Sequence, residues 1–477
     1  MDRQELDELR SLLRQQTEMI ESLRQQIANQ QRQLEEQNRL LRQLLEERRQ
    51  GREPAPATQQ PVHSREGQSA SAMEQAGESD PMTKQRLPQR PAAGAHEEAG
   101  TAGWNERHAF IRNSSGTFEA VFSGYGQFDY RGYEKNEQGL VNTFLIRRAR
   151  FSVGGRIHQK YEYKVQADFA DTAGTILRDG WINLNIRPEV QLKFGQFKEP
   201  FSQEELRDDE NNDFVERSMV NNLVPSRSPG VELAGNIGGG IFSYQVGAFN
   251  GKGLLAPNTS STPEGVVRLR LRPWMNRDGH RLQGLSFGGA AAVGRQRGGM
   301  SFIGRTESRS TTFFQPVPVN GHLLRANAEL TYIYRGFALR SEFVQTHQER
   351  TGLGLNHTNL PGVIGKGLMV QGTYLLTGEY KPEDEAIAPR SGLWNKDQTE
   401  RGIGAWEVKF RYSNLHFTNG FQSDRAETFS TGMNWYLTRS VKYMLDLNVE
   451  RFADPRRAPR PGDRSFFSLL TRMQFTF

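Results

Sequence analysis

Cysteine is absent from the 477 residues, which removes disulfides, thiolate metal sites and cysteine nucleophiles from consideration. Long apolar runs are missing too. No stretch approaches the roughly 20 unbroken apolar residues of a membrane-spanning helix, so helical spans are excluded. Only 35% of the chain is hydrophobic and the mean hydropathy is -0.70, an average that reads as soluble. It does not exclude a transmembrane barrel, whose strands need only about 10 residues of alternating character and whose lumen face is polar. The nine His form no spacing suited to zinc, and neither Gly-x-Ser-x-Gly nor a P-loop is present. No cofactor and no enzymatic activity are expected. Also missing is a secretory leader, with its basic start, apolar run and small-residue cleavage site, since the chain opens MDRQELDELR. Either a leader lies upstream of this start or an outer-membrane destination is wrong.

What is present divides into three segments. From Leu6 a seven-residue repeat places Leu6, Leu13, Ile20, Ile27, Leu34 and Leu41 in one heptad position. Leu9, Leu23 and Leu44 take the other, interrupted by Gln16, Gln30 and Gln37. This is the pattern of a self-associating coiled coil with a partly polar seam, and residues 1–50 are assigned to it. Residues 51–117 are rich in Pro, Gln, Ala, Ser and charge, a composition that cannot bury a core and reads as a flexible linker. Nearly all of the 28 Phe, 13 Tyr and 6 Trp lie beyond it.

From Phe118 to Phe477 the period changes to two. Tyr161, Tyr163, Val165, Ala167 and Phe169 alternate with Glu162, Lys164, Gln166 and Asp168, and Trp406, Val408, Phe410 and Tyr412 with Glu407, Lys409, Arg411 and Ser413. Each set puts its large apolar groups on one face of a strand. About sixteen such runs begin near Phe118, Asn142, Lys160, Leu177, Val190, Pro229, Ile241, Glu264, Gln283, Gly321, Phe337, Lys366, Gly402, Thr428, Ser440 and Ser465. An even number suits a single-chain barrel. Connections such as Arg335-Gly336 and Thr438-Arg439 are short, whereas Thr377 to Arg401 is long and polar. Short turns are therefore expected on one rim and long loops, that stretch among them, on the other. The predicted fold is an all-β transmembrane barrel of about 16 antiparallel strands, preceded by the coiled coil and linker. Its final strand shows Phe467, Leu469, Thr471, Met473, Phe475 and Phe477 on one face, an aromatic ending that resembles the signal read by the bacterial barrel-assembly machinery.

The barrel segment resembles the family of phosphate- and polyphosphate-selective porins O and P. Arg147-Arg148-Ala149-Arg150-Phe151 followed by Gly154-Gly155, then Leu177-Arg178-Asp179, Lys193 through Phe201, Glu216-Arg217-Ser218 and Gly230-Val231 occur in family order. Leu376-Thr377-Gly378-Glu379, Gly404-Ala405-Trp406-Glu407 and Gly432-Met433-Asn434-Trp435-Tyr436 follow. The resemblance implies a homotrimer of 16-stranded barrels in outer-membrane lipid. It also implies an anion constriction in which Arg147 and Arg148 match the family's arginine pair, Asp179 its aspartate and Arg217 an arginine after the Glu. Glu205 stands where the family has a lysine, and Tyr125 where its first strand has an arginine, so phosphate specificity does not carry over with the fold.

Anion conduction needs cations facing the lumen, and arginine offers a planar fork suited to phosphate or carboxylate. Arg268, Arg270 and Arg272 meet this by alternation alone. In a regular strand Arg147 and Arg148 point to opposite faces, and only a bulge lets both face inward. Arg148, sharing a face with Arg150, is the stronger candidate. The loop arginines Arg295, Arg297, Arg305 and Arg309 either fold inward over the channel or sit in solvent. The acidic run Asp208, Asp209, Glu210 and Asp213 reads as a solvated loop, with a divalent cation as its alternative. The net charge of +6 would also suit nucleic acid, but the basic residues alternate around many strands and do not gather into one patch. The function read from the sequence is a passive channel for small anions such as phosphate, or for other polar solutes, in the bacterial outer membrane with the coiled coil in the periplasm. The alternative is a structural tether between outer membrane and cell wall.

Overall fold

The computed structural model describes residues 100–477 apart from 106, 172, 173, 175, 252, 257, 259, 260 and 394–401. The expected coiled coil and most of the expected linker lie outside them. A hairpin comes first, β1 (Thr101–Asn105) and β2 (His108–Arg112). β3 (Phe118–Tyr133), β4 (Thr143–Ile157), β5 (Tyr161–Asp168), β6 (Leu177–Arg187), β7 (Val190–Lys198), β8 (Arg227–Ile237), β9 (Phe242–Phe249), β10 (Glu264–Leu271) and β11 (Gly284–Gln296) follow. β12 (Gly304–Arg305) and β13 (Thr312–Phe314) form a small sheet of their own. β14 (Gly321–Tyr334), β15 (Phe337–Arg350), β16 (Leu360–Leu375), β17 (Ala405–Thr418), β18 (Ser423–Tyr436), β19 (Val441–Phe452) and β20 (Ser465–Thr476) complete the chain.

Omitting the hairpin from the 18-stranded sheet leaves sixteen strands, each antiparallel to its sequence neighbour. β20 returns to pair with β3, from Thr476↔Tyr125 to Ser468↔Tyr133, and closes the barrel. Closure pairs the first strand of the barrel with the last, and leaves uncovered a stretch of β3 that β20 is too short to reach. β2 covers that stretch, from Ala109↔Phe122 to Arg112↔Glu119. Residues 101–112, expected within the linker, therefore belong to the sheet. Between them the chain end exchanges backbone hydrogen bonds with Gly124 at 2.8 and 2.9 Å. A Cβ on Gly124 would stand 2.6 Å from the Phe477 ring, so only glycine admits this seam.

The two faces of the wall are those of a protein solvated by lipid. In β17, Phe410 is 52% exposed, while its neighbours Lys409 and Arg411 are 3% and 2% exposed on the lumen side. Apolar groups face out because bilayer, not water, surrounds the wall. Aromatic pairs mark both ends of this band. Trp406 and Trp435 stack at 5.1 Å near one rim, and Phe128 and Phe144 at 5.7 Å near the other. Both indole N–H groups donate to the Ile403 carbonyl, at 3.1 and 2.8 Å.

One expectation about the rims is corrected. The connection 376–404 leaves β16 and enters β17 on the rim that carries the short turns, where the Lys381 N–H donates to the Arg335 carbonyl at 2.7 Å. Rim is set by how many strands the chain has already crossed, not by loop length. The other rim carries the inserts 199–226 and 297–320. Both fold into the lumen, and the main apolar cluster sits inside the barrel as a result. Phe201, Met219 and Leu223 of the first insert and Phe313 and Phe314 of the second pack on inward-facing Val344, Met369, Leu415 and Phe417. Phe314 stacks on Phe417 at 4.5 Å.

Candidate functional site: the arginine-lined lumen

Insert 199–226 joins β7 to β8 and brings a row of carboxylates against the arginines of the wall. It opens with a short helix, α1 (Gln203–Leu206), capped by the Ser202 hydroxyl, which accepts from the Glu205 N–H. Beyond it Asp209, Asp213 and Glu216 each meet several cations.

Arg147 and Arg148 both reach this row. β3 and β4 pair Gln127 with Arg148 and then Phe128 with Ile146, leaving Arg147 as the extra residue of a bulge. The bulge restores what strict alternation forbids. Arg147 donates to both Glu216 carboxylate oxygens at 2.7 and 3.2 Å. Arg148 lies 3.4 Å from Asp209 and donates to the Gln127 side chain at 2.8 Å. Arg150 binds Asp168 and the Tyr125 hydroxyl, each at 2.8 Å, and also Asp209. Arg217 meets Asp209 at 2.7 Å and Glu205 at 3.3 Å. Glu205 is therefore buried and paired, not a free charge facing the channel. Asp179 is clasped by Arg227 through two bonds of 2.8 and 3.2 Å, apart from the Arg147–Arg148 pair with which the resemblance groups it.

Arg268 and Arg270 of β10, with Arg272 just past its end, form a second group. Arg268 holds Glu329 with two bonds of 3.0 and 2.7 Å. Arg270 donates to the Ser286 hydroxyl at 3.1 Å and is paired with Glu383. Arg272 donates to the Gly240 carbonyl at 3.0 Å and lies 3.8 Å from the same Glu383. Glu383 comes from the connection 376–404, which enters the lumen from the short-turn rim.

The acidic run is not a solvated loop. Asp213 is buried and accepts from Arg207 and Arg340, both at 2.9 Å, and from Lys381 at 2.7 Å. Asp208 alone of the run's aspartates is mostly exposed. Burial by itself would raise the carboxyl pKa of Asp209, Asp213 and Glu216. The guanidiniums around them outweigh it: Arg148 and Arg217 hold Asp209, Arg207 with Lys381 and Arg340 holds Asp213, and Arg147 with Arg309 holds Glu216, each well below the usual carboxylate range. Among the described residues no cluster of His, Asp and Glu is arranged to hold a metal. Insert 297–320 also folds inward in part. Arg309 binds Glu216 at 3.1 Å, and Glu307 binds Arg411 at 2.6 Å.

Sequence reasoning missed Arg207, Arg340, Lys381 and Arg411. Arg340 and Arg411 were available from alternation in their strands. Arg207 and Lys381 lie in irregular chain, where no period marks a facing direction. Where insert 199–226 meets the second group lies a cavity of about 150 Å³ lined by Arg207, Arg268, Arg270, Arg340, Glu383 and Asp384, with Gln203, Leu206 and Thr331.

A closed wall with apolar groups outside and arginine–carboxylate pairs inside is the build of a porin. Residues 122–477 match the family model for phosphate-selective porins O and P, and the chain belongs to this family. A search of curated proteins returned no match. Among solved structures, OmpF of Salmonella typhi, in complex with daunomycin, aligns at 10% identity over 76% of this chain and 98% of its own, with a TM-score of 0.50. Outer-membrane-expressed OmpT of Vibrio cholerae aligns at 8% identity over 76% and 98%, TM-score 0.49. The outer-membrane channel DcaP of Acinetobacter baumannii aligns at 8% over 77% and 99%, TM-score 0.47. The protein is a passive channel of the bacterial outer membrane, with the family and fold of channels and not of enzymes. The tether reading gains no support from the fold or from these comparisons.

Proposed function

We propose that this channel passes small anions, phosphate among them, and other small polar solutes, with a preference for anions set by the arginines of its lumen. The carrying observation is the lining of the 150 Å³ cavity, where the guanidiniums of Arg207, Arg268, Arg270 and Arg340 face the carboxylates of Glu383 and Asp384. The lining itself carries four cations and two acids, with Arg268 held by Glu329 and Arg207 and Arg340 sharing Asp213 behind it. Guanidinium is weakly hydrated and charged at every physiological pH, so it attracts anions without titrating. Pairing of these same arginines with Glu329 and Asp213 keeps the field moderate, which suits conduction, because a solute must leave as readily as it enters. Arg147, Arg148, Arg150 and Arg217 act chiefly by holding insert 199–226 in place, and Asp179 by holding Arg227.

The working form is a homotrimer whose residues 1–50 form a coiled coil in the periplasm. The heptad seam from Leu6 to Leu41 supports this, as does the family resemblance. The aromatic strand end at Phe477 is the part offered to the barrel-assembly machinery.

The refolded protein in a planar bilayer under a potassium chloride gradient tests the reading. The expected result is discrete steps with a reversal potential displaced toward that of chloride, and a smaller displacement when Arg268, Arg270 and Arg272 are all replaced by Ser. A displacement unchanged in the triple variant would remove these arginines from the mechanism. Added phosphate that blocks the steps would mark a phosphate-specific channel, and steps without block a general one.

A further inference from the structure

The connection 376–404 carries a feature that a simple turn does not need. Between β16 and β17 a few residues would suffice, yet this segment enters the lumen and is anchored there at three places. Ile387 closes a small apolar cluster with Leu375, Ala405 and Tyr436. Lys381 is buried between Asp213, at 2.7 Å, and Glu407. Asp384 receives the Asp208 N–H at 3.3 Å, and its carbonyl accepts from the Asn211 side chain at 3.0 Å. These contacts tie it to insert 199–226, which arrives from the opposite rim.

Glu383 stands differently. Its carboxylate is directed at Arg270 and Arg272 while its own carbonyl accepts from Arg340 at 3.1 Å. The side chain is 47% exposed, and those of Arg270 and Arg272 are 19% and 21% exposed. Water in the channel therefore reaches both partners of this pair. The other acids near the cluster are committed elsewhere: Glu329 to Arg268, Asp213 to Arg207, Arg340 and Lys381, and Asp384 to the insert. With Glu383 withdrawn, Arg270 keeps the Ser286 hydroxyl and Arg272 the Gly240 carbonyl as hydrogen-bond partners among the described residues.

We propose that Arg270 and Arg272, with Arg340 beside them, form a binding station for small carboxylate solutes, and that Glu383 is a tethered competitor occupying it. The resident carboxylate defines the ligand class, because it shows which group the paired forks accept. This deepens the proposed anion channel and rests on it. A solute carboxylate enters by displacing Glu383 from the guanidiniums, while Lys381, Asp384 and Ile387 keep the connection anchored. Its apparent affinity is reduced by the fraction of time that Glu383 occupies the station. The competitor thus weakens binding and speeds release, as a conducting site requires.

The test is block of the chloride current by succinate, read in single channels of the full-length protein and of Glu383→Gln, Glu383→Asp and Glu383→Gln combined with Arg270→Ser. Expected is a half-blocking concentration about tenfold lower in Glu383→Gln than in the wild type, if the station is occupied about nine-tenths of the time. Glu383→Asp, which keeps the charge, should stay near the wild type, and the added Arg270→Ser should abolish the gain. A half-blocking concentration equal in wild type and Glu383→Gln, with unaltered thermal unfolding to show an intact barrel, overturns the proposal. Reversal potential in the same records reads the underlying channel hypothesis separately: a wild type without anion preference defeats that hypothesis whatever succinate does.

Discussion

Two segments enter the lumen from opposite rims, and they are built by different means. Insert 199–226 is held by fully buried apolar groups, Phe201, Phe214, Met219 and Leu223, and by carboxylates that each face two or more cations. Among its described residues, connection 376–404 buries Ile387, Lys381 and Glu379 and leaves Glu383 half-exposed. The first is part of the wall. The second is docked on it and keeps a charge within reach of solute. A buried carboxylate with no spare exposure cannot exchange partners without unfolding its surroundings, whereas an exposed one can. Position in the lumen alone therefore does not make a residue part of the permeation path.

The comparison breaks first at Asp213, which serves both segments. Asp213→Asn leaves Arg207, Arg340 and Lys381 without their shared carboxylate, and loss of one partner from such a buried set costs about 3–5 kcal/mol. The midpoint of denaturant unfolding should fall accordingly, and an unchanged midpoint would show that the insert does not depend on its charges. Next come two apolar truncations. Leu223→Ala opens a hole in the large internal cluster and should cost about 3 kcal/mol, while Ile387→Ala, in a cluster of four, should cost about 2 kcal/mol. The first is expected to raise open-channel noise and lower the unfolding midpoint together; the second should raise noise with a smaller change in midpoint. Equal changes in midpoint would erase the distinction drawn here.

The smallest effect is that of acid. Asp209, Asp213 and Glu216 have pKa values depressed by their arginines despite burial. A carboxylate depressed in the folded state contributes stability that is fully present above its unfolded pKa and is lost only as pH falls through the folded value. Burial works against ionisation of Glu383 as well, and Arg270 followed by Arg272 outweighs it, so this carboxyl too lies below its ordinary value, though less far. Between pH 7 and pH 5 conductance should hold steady. On further acidification the Glu383 contact should loosen before insert 199–226 does, seen as wild-type succinate block converging on that of Glu383→Gln at the same pH before any change in unit conductance.

Much of the wall was legible in the sequence. Strand starts expected near Phe118, Leu177, Val190, Glu264, Gly321, Phe337 and Ser465 coincide with those observed. The larger misses are at β16, which begins at Leu360 and not Lys366, and β18, which begins at Ser423 and not Thr428. Both strands extend past the membrane band, where the apolar partner of the alternation is no longer required. Arg268, Arg270 and Arg272 face the lumen as their spacing demands. Arg147 could not be placed by spacing, because a bulge is a property of two paired strands and not of one. The place of 376–404 on the short-turn rim was recoverable by counting, since it follows the twelfth of sixteen strands. Its length was the misleading signal.

By itself the sequence determined the barrel, its strand number and, away from the bulge at Arg147, which strand side chains face inward, because a period of two is a local property that lipid outside and water inside select strand by strand. Tertiary structure alone decided which carboxylate each arginine meets. Glu329, Asp168 and Asp179 lie on strands, but Asp209, Asp213, Glu216 and Glu383 lie in irregular segments whose paths through the lumen are set by packing between distant parts of the chain.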